Sequence, residues 1–437
     1  MNKQNSVLVS VTGDPLSLGH INLIEKASRY GEVIVGVISD EACQGNRQQP
    51  AQGLEQRKSM IGALRAVHEV VTQDTWSYAE TIQRVRPKFF VHSDNWDFSH
   101  GPTIRLETLE ALKMVGGELV EIPFSTEAPW KTSLEPDMAF PEARRRSLTN
   151  LLTFGRPLAF IEAHSPLSAL IVEKFRRVHK VNSAWAIPGY DGLWSSSLAD
   201  STMRGVPDTE KLDFSQRMAN IQEMFQCTTL PLIYDADTGG QTEHLTQNIR
   251  QMESLGISAF IIEDKTGLKR NSLFGNEVEQ TQDSIASFSE KIRESVKARS
   301  NSDFLVIARI ESLILDKGLG DAHDRAEAYL TAGASGIMIH SRQADESEIA
   351  AFAGRFKRDF PNVPLVLVPT SYNHVTFNQL GDLGADIVIF ANHLLRASHR
   401  GMIQTADSIL RHGRTKEADS EITSMAKTLD IIPGTRG

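Results

Sequence analysis

Cysteine is nearly absent from this chain of 437 residues: Cys43 and Cys227 stand far apart, without CxxC spacing. Two such thiols give neither a disulfide framework nor the paired ligands of a zinc site, and they suit a reducing, cytoplasmic compartment. Long hydrophobic runs are missing as well. No stretch reaches the ~18 apolar residues that a membrane span needs. The opening MNKQNSVLVSVTGD lacks the apolar core and small-residue cleavage site of a signal peptide. Basic excess is also lacking: 46 Lys and Arg face 55 Asp and Glu, a formal net charge of -9. This argues against a nucleic-acid partner, which needs a basic face, but leaves room for an anionic small molecule in a local pocket. What is present, 40% hydrophobic and 23% charged residues, is ordinary for a globular protein, and the length exceeds what one core supports. Two domains are expected.

Residues 1–140 alternate short apolar runs with amphipathic stretches. The runs are Val7–Val11, Val33–Ile38, Val70-Val71, Phe89–Val91 and Glu118–Ile122, with helical patterns such as Ile21–Tyr30 and Glu55–Val67 between them. Continuous apolar runs suit parallel strands buried on both faces, so a small doubly wound α/β domain is expected. Residues 141–156 break the pattern. Pro136 and Pro141 interrupt it, and Arg144-Arg145-Arg146 reads as a solvated face, so this segment is expected to be a linker.

From residue 157 to 437 the alternation resumes. Candidate strands are Leu158–Ala163, Ala184–Ile187, Leu230–Tyr234, Ala259–Ile262, Phe304–Ala308, Gly336–Ile339, Leu365–Val368 and Ile387–Phe390, most of them separated by helical patterns. This count over ~250 residues predicts a (β/α)8 TIM-type barrel, although alternation alone also allows an open sheet. Lys416 to Ile432 reads as additional C-terminal helix, either capping the barrel or packing on another subunit.

The polar residues gather at the strand ends. The third barrel strand ends in Asp235-Ala236-Asp237-Thr238-Gly239-Gly240, the fourth in Glu263-Asp264-Lys265, the fifth in Arg309-Ile310-Glu311 and the sixth in His340-Ser341-Arg342. In a TIM barrel these ends converge on one face. Asp235, Asp237 and Glu263 are hard oxygen donors of the kind Mg2+ prefers. Arg309 and His340 can hydrogen-bond a phosphoryl or carboxylate group. Any one of these alone would read as a helix cap or a surface ion pair. With Pro369-Thr370-Ser371 after the seventh strand and Ala391-Asn392-His393 after the eighth, six consecutive strand ends carry such groups, and together they point to a site for an anion and a cation.

These residues resemble a known family. Glu263 to Ser272, EDKTGLKRNS, fits the EDK-x-x-x-K-x-x-S pattern of phosphoenolpyruvate mutases in the isocitrate lyase superfamily. Trp194–Leu198 (WSSSL), Asp235–Gly240, Ala308–Ser312, Ile339–Ser341 and Val368–Thr370 extend the resemblance across residues 157–415 in order. It implies interconversion of phosphoenolpyruvate and 3-phosphonopyruvate, the C–P bond-forming entry to phosphonate biosynthesis, including that of phosphonate antibiotics. It also implies Mg2+ on Asp235, with Asp237 and Glu263 helping through water. Asp208 matches the family's essential loop aspartate. Trp194, Ser196, Ser197 and Leu198 are implied to line the pyruvate side, and Arg309 and His340 the phosphoryl side. Lys269, Asn271 and Ser272 are implied to sit on a closing loop. A homo-oligomer is a family inference. Ser197 stands where animal-type mutases carry Gly, and Ser165-Pro166 replaces a usual Asn-Gly.

The related lyases carry a cysteine in the loop corresponding to Thr266–Ser272, and this chain has none there. A phosphonopyruvate hydrolase, using the same pocket but admitting water, is the nearer rival. In residues 1–140, Thr12–His20 (TGDPLSLGH) resembles the opening motif of cytidylyltransferase-like nucleotidyltransferases. Glu55–Arg57, Val91–Trp96 and Thr132-Ser133 echo later motifs. Gly19 and His20 are the nucleotide-binding candidates, and a bifunctional enzyme that also transfers CMP to a phosphonate is a further alternative. Ser17 replaces the first histidine of HxGH, where an imidazole would stabilise charge on the transferring phosphate. Gly13 replaces a Phe, Ser93 and Asn95 replace the Gly and acid of HGDDW, and Pro129–Thr132 lacks the Gly of the last signature. The expectation is a nucleotidyltransferase-like scaffold with weak or lost transferase activity.

Overall fold

In the computed structural model the described residues are 6–432 and 435, except 15, 17, 46–49, 51, 94–95, 97–100, 123–140, 175–188, 268, 271 and 273–277. The chain divides into two compact units, Met1–Glu135 and Pro136–Gly437. Among the described residues no helix is long and apolar enough to cross a membrane.

The first unit is a five-stranded parallel sheet of β1 (Ser6–Val11), β2 (Glu32–Ile38), β3 (Val67–Gln73), β4 (Phe89–Ser93) and β5 (Glu118–Ile122), in the order β3-β2-β1-β4-β5. The order reverses at β1, so this is the doubly wound topology that the apolar runs predict. Val7, Val9 and Val11 pack into one core with Ile24 and Ile61, while Leu8 packs into a second with Ile82 and Leu112. Two-sided burial is why β1 reads as an uninterrupted apolar run. Gly13 follows it at φ +75, and a Cβ there would lie 2.6 Å from Ile61 Cδ1. A side chain is thus strained at the position where the resembled motif has Phe.

The second unit is a closed barrel of eight parallel strands. They are β6 (Leu158–Glu162), β7 (Gly192–Ser195), β8 (Leu232–Asp235), β9 (Ala259–Glu263), β12 (Leu305–Ile310), β13 (Gly336–Ile339), β14 (Leu365–Leu367) and β15 (Ile387–Phe390). A two-stranded antiparallel ribbon, β10 (Lys265–Thr266) with β11 (Thr281–Gln282), interrupts the series. β15 pairs back onto β6, with Leu158 opposite Ile387, and closes the ring. Alternate residues face inward: Leu158, Phe160, Trp194, Ile233, Ile261, Ile307 and Met338 fill the interior. Their neighbours Ala159, Ile161, Leu193, Leu232 and Ile262 pack outward against the helices.

Two expectations change. The second barrel strand is Gly192–Ser195, and the apolar Ala184–Ile187 lies outside the described residues. A strand reading GLWS carries little β signal. Gly192 is there because Phe160 swings across it, with ring atoms 2.1 Å from where a Cβ would stand. The segment expected as a linker holds the helix Pro141–Leu152, whose Leu148 and Leu151 join the barrel interior. Its arginines are not a solvated face: Arg144 is 4% and Arg145 7% exposed. Arg144 donates to the carbonyls of Phe225 and Thr228 and stacks 3.8 Å over the Phe225 ring, and Arg145 donates to the Glu253 carbonyl. Aliphatic stems bury readily when the guanidinium ends on carbonyls. Only Arg146 is exposed, pairing with Asp303.

Arg144→Met keeps the stem but leaves two buried carbonyls unsatisfied, and is expected to cost about 2–4 kcal/mol in urea unfolding. Arg146→Ala removes a surface pair and is expected to cost about 1 kcal/mol or less.

Candidate active site

Each barrel strand delivers polar groups just past its last apolar residue. On β9 the alternation carries into the polar run, so Glu263 and Lys265 face one way and Asp264 the other. Asp264 is fully buried, accepting from Arg325, Tyr329 and Gln282, while its other oxygen takes the Glu311 N–H. Arg309 and Glu311 share the inward face by the same period-2 rule.

Trp194, Ser196, Ser197, Leu198, Asp208, Asp235, Glu263, Lys269, Ser272, Arg309 and His340 line one cavity, together with Ser341, Arg342, Thr370, Ser371 and Asn392. Asp237 is not on its wall but contacts the Lys269 ammonium. Asn271 lies outside the described residues. Gly19 and His20 belong to the first unit, both half-buried. Ser17, Asn95 and Pro129–Thr132 also lie outside the described residues.

The cavity floor is a cluster of buried charges of both signs. Ser197 donates to Asp235 through its amide at 3.3 Å and its hydroxyl at 3.0 Å, while Ser196 caps the helix Ser197–Met203. Asp237 sits at φ +55, an uncommon conformation for a residue with a side chain. Lys269 contacts Ser197 and pairs with Asp208 at 2.7 Å. Arg309 donates from Nε to Glu311 at 2.6 Å, and its terminal nitrogen lies 3.1 Å from His340 Nε2 and 3.4 Å from Glu263. His340 Nε2 is also 2.8 Å from Glu311. That nitrogen accepts from Arg309 or donates to Glu311, according to tautomer. Burial, with Arg309 alongside, pulls His340 below the usual imidazole range. Burial pushes Glu263 up to about 7, Arg309 and Lys265 offsetting only part of it. Asp237 is raised, first by burial and then by neighbouring Asp235; the opposing cations leave it still raised. Glu311 goes the other way: burial opposes ionisation, but Arg309, His340 and Lys265 hold it well below the usual range.

The residue pattern missed three members of this cluster. Arg217, from the helix Phe214–Phe225, donates to Asp200 at 2.9 Å, to the Asp235 carbonyl at 2.5 Å and to the Ser195 carbonyl at 3.2 Å, tying β7 to β8. It sits in the first turn of that helix, where spacing carries no hint of it. Glu311 and Lys265 stood inside noted motifs, and period-2 alternation was the signal that places them inward.

The phosphoenolpyruvate phosphomutase family pattern matches residues 148–410. The chain belongs to that family. A cytidylyltransferase-like pattern matches residues 12–140. A phosphoenolpyruvate phosphomutase of Tetrahymena pyriformis is 34% identical over 272 residues, 62% of this chain and 85% of that protein. A phosphonopyruvate hydrolase of Variovorax sp. is also 34% identical, over 291 residues, 66% of this chain and 94% of that protein. The crystal structure of a phosphonopyruvate hydrolase complex with oxalate and Mg2+ superposes with a TM-score of 0.57 at 33% identity, covering 66% of this chain and 94% of that one. The phosphomutase family thus includes mutase and hydrolase relatives at equal distance from this chain.

The donors of this phosphomutase-family barrel fit a hard divalent cation. Asp237 Oδ1 and Glu263 Oε1 are buried without a hydrogen bond, and each faces a lysine ammonium. Among the described residues no three His, Cys, Asp or Glu side chains converge tightly enough to grip an ion unaided. Asp235 with water-bridged neighbours suits Mg2+, which keeps several waters. Mg2+ is expected to raise the Tm of the full chain by a few degrees, reversibly with chelator. Glu263→Gln and Asp235→Asn are each expected to remove most of that rise in differential scanning calorimetry. No rise in the unmodified protein would show the donor assignment to be wrong.

Proposed function

We propose that the barrel is a phosphoenolpyruvate mutase, interconverting phosphoenolpyruvate and 3-phosphonopyruvate. The observation that carries this is the loop after β9. Its described side chains Lys269 and Ser272 are buried and bonded to the cavity floor. In the reaction the P–O bond breaks with its electron pair passing to the enol oxygen. C3 of the resulting enolate then bonds to phosphorus. No atom is gained or lost, and both the metaphosphate-like phosphoryl and the enolate are intercepted by water. Lys269 and Ser272, held on the cavity floor, serve that requirement by occupying space that water would otherwise fill.

The roles follow from position. Arg309 and neutral His340 offer hydrogen bonds to the phosphoryl oxygens. Asp208, across the cavity and paired with Lys269, steadies or receives the phosphoryl group in transit. Ser196, Ser197 and Leu198, with Trp194, flank the pyruvate portion. Asp235, with Asp237 and Glu263, would hold Mg2+, which supplies positive charge to the enolate oxygen and carboxylate. Lys269 adds a buried cation, its ammonium kept charged by Asp237, Asp235 and Asp208 against the effect of burial. The absence of cysteine from Thr266–Ser272 speaks against lyase chemistry. The Asn271-Ser272 pair favours the mutase over the hydrolase.

The reading places the enzyme in the cytoplasm, at the entry to phosphonate synthesis. For the first unit it assigns a retained scaffold. Its imidazole His92 is stacked on Trp96 at 3.9 Å and bonded to Tyr78 and the Ser93 carbonyl, so both ring nitrogens are engaged.

With Mg2+ and phosphonopyruvate, 31P NMR is expected to show phosphoenolpyruvate; inorganic phosphate with pyruvate would instead establish the hydrolase. Asp208→Ala is expected to lower turnover by about 10³-fold or more with Tm unchanged. CTP with a small phosphonate is expected to release no pyrophosphate, and release would restore the bifunctional reading.

A further inference from the structure

Glu210 is exposed and does not line the cavity, yet its backbone stands at φ +57. That left-handed conformation is strained for a residue with a long side chain, so something must hold it. What holds it is Thr238, which is buried. One oxygen of the Glu210 carboxylate, Oε1, accepts from the Thr238 hydroxyl at 2.8 Å and from its amide at 3.3 Å. Every polar atom of Thr238 is thereby engaged, since its hydroxyl also accepts from the Gly240 amide at 3.2 Å and its carbonyl accepts from Lys291 at 2.9 Å. The two residues belong to segments that carry different parts of the site. Two positions before Glu210 is Asp208, whose side chain is 9% exposed and meets the Lys269 ammonium. Directly before Thr238 is Asp237, itself left-handed at φ +55. The Asp237 carbonyl accepts from the Glu263 amide at 2.8 Å, and its amide donates to Asp235 at 3.2 Å.

We propose that Glu210 is a positioning residue: through Thr238 it fixes the 205–213 segment against the turn after β8, and so sets where the Asp208 carboxylate stands relative to Asp235 and Asp237. The proposal rests on the reading of Asp208 as the group that steadies or receives the phosphoryl group. The segment begins bonded to the helix Ser197–Met203, where the amides of Gly205 and Val206 reach the Thr202 and Ser201 carbonyls. It ends at Asp213, which caps the helix Phe214–Phe225. Glu210 pins the stretch between, outside the cavity, while Lys269 meets Asp208 within it. A reacting group misplaced by about 1 Å can cost about 10²-fold in rate. A carboxylate two residues from an anchor keeps its place while the anchor holds. The same tie braces the left-handed turn at Asp237, so one pair of hydrogen bonds sets the phosphoryl-facing aspartate and the cation donors in common register.

The test uses the full chain with Mg2+ and phosphonopyruvate. Glu210→Gly removes the tie without adding strain, because glycine accepts a positive φ, so Tm is expected to hold. Its kcat is expected to fall about 10- to 100-fold with KM within about two-fold, the split that follows when ground-state binding is intact. Glu210→Gln keeps an acceptor oxygen and is expected to restore most of kcat. A second readout needs no substrate. Hydrogen exchange followed by mass spectrometry is expected to quicken about ten-fold or more in the peptide holding the Thr238 amide in Glu210→Gly, and to slow again in Glu210→Gln. If Glu210→Gly does not fold, Thr238→Val, which removes the hydroxyl donor, must show the same fall in kcat with KM held. Unchanged exchange at Thr238 overturns the tie. Faster exchange with unchanged kcat overturns the positioning role, and so does a Glu210→Gln variant as slow as Glu210→Gly, since charge and not the hydrogen bond would then decide. Full activity of Asp208→Ala overturns the reading of Asp208 on which the proposal rests. Loss of activity there beside a fully active Glu210→Gly overturns the proposal alone.

Discussion

The mouth of the barrel is built around buried charge that must cancel. Asp235, Asp237, Glu263 and Glu311 are all under a tenth exposed, and so are Lys265, Lys269 and Arg217. Taking such groups from water costs several kcal/mol each unless every one finds a partner of opposite sign with good geometry. Arg217 holds the backbone of β7 and β8, Arg309 holds Glu311, and the loop lysines reach down to what remains. The balance is incomplete at Asp237 and Glu263, where burial still raises the carboxyl groups above their ordinary range. Carboxyl groups left short of positive charge are donors that fit a hard divalent cation.

The rest of the barrel serves to hold that cluster still. Its interior is packed by alternating residues from each strand, and the helix Pro141–Leu152 closes the opposite end with Leu148 and Leu151. Gly192 lets Phe160 occupy the axis. Asp264 fastens the root of the loop outward to Arg325 and Tyr329 while Glu263 and Lys265 work inward, so one tripeptide anchors the loop and furnishes the floor. Asp237 and Asn392, beside the site, are two of the five non-glycine residues in left-handed conformations among the described residues.

A mutase relative and a hydrolase relative are equally similar to this chain, at 34% identity each, so overall similarity does not choose between the two reactions.

Strand alternation and the polar strand ends made the barrel, the doubly wound first unit and the whole set Asp235, Glu263, Arg309 and His340 legible in the sequence, because parallel strands buried on both faces leave continuous apolar runs that stop at the site. Where local pattern and tertiary need diverge, the reading failed. GLWS lacks β character, yet it is a barrel strand because Phe160 needs room beside it. Arg144 and Arg145 look solvated, yet they are buried because carbonyls at the barrel's base receive them. Arg217 sits in the first turn of its helix with nothing in its spacing to mark it. The sequence by itself determined which residue types stand at the ends of the strands. Only the closed ring decided which of them meet, since the partners of Lys265, Arg217 and Glu311 come from different strands, helices and loops, and charge balance is a property of their assembly in space.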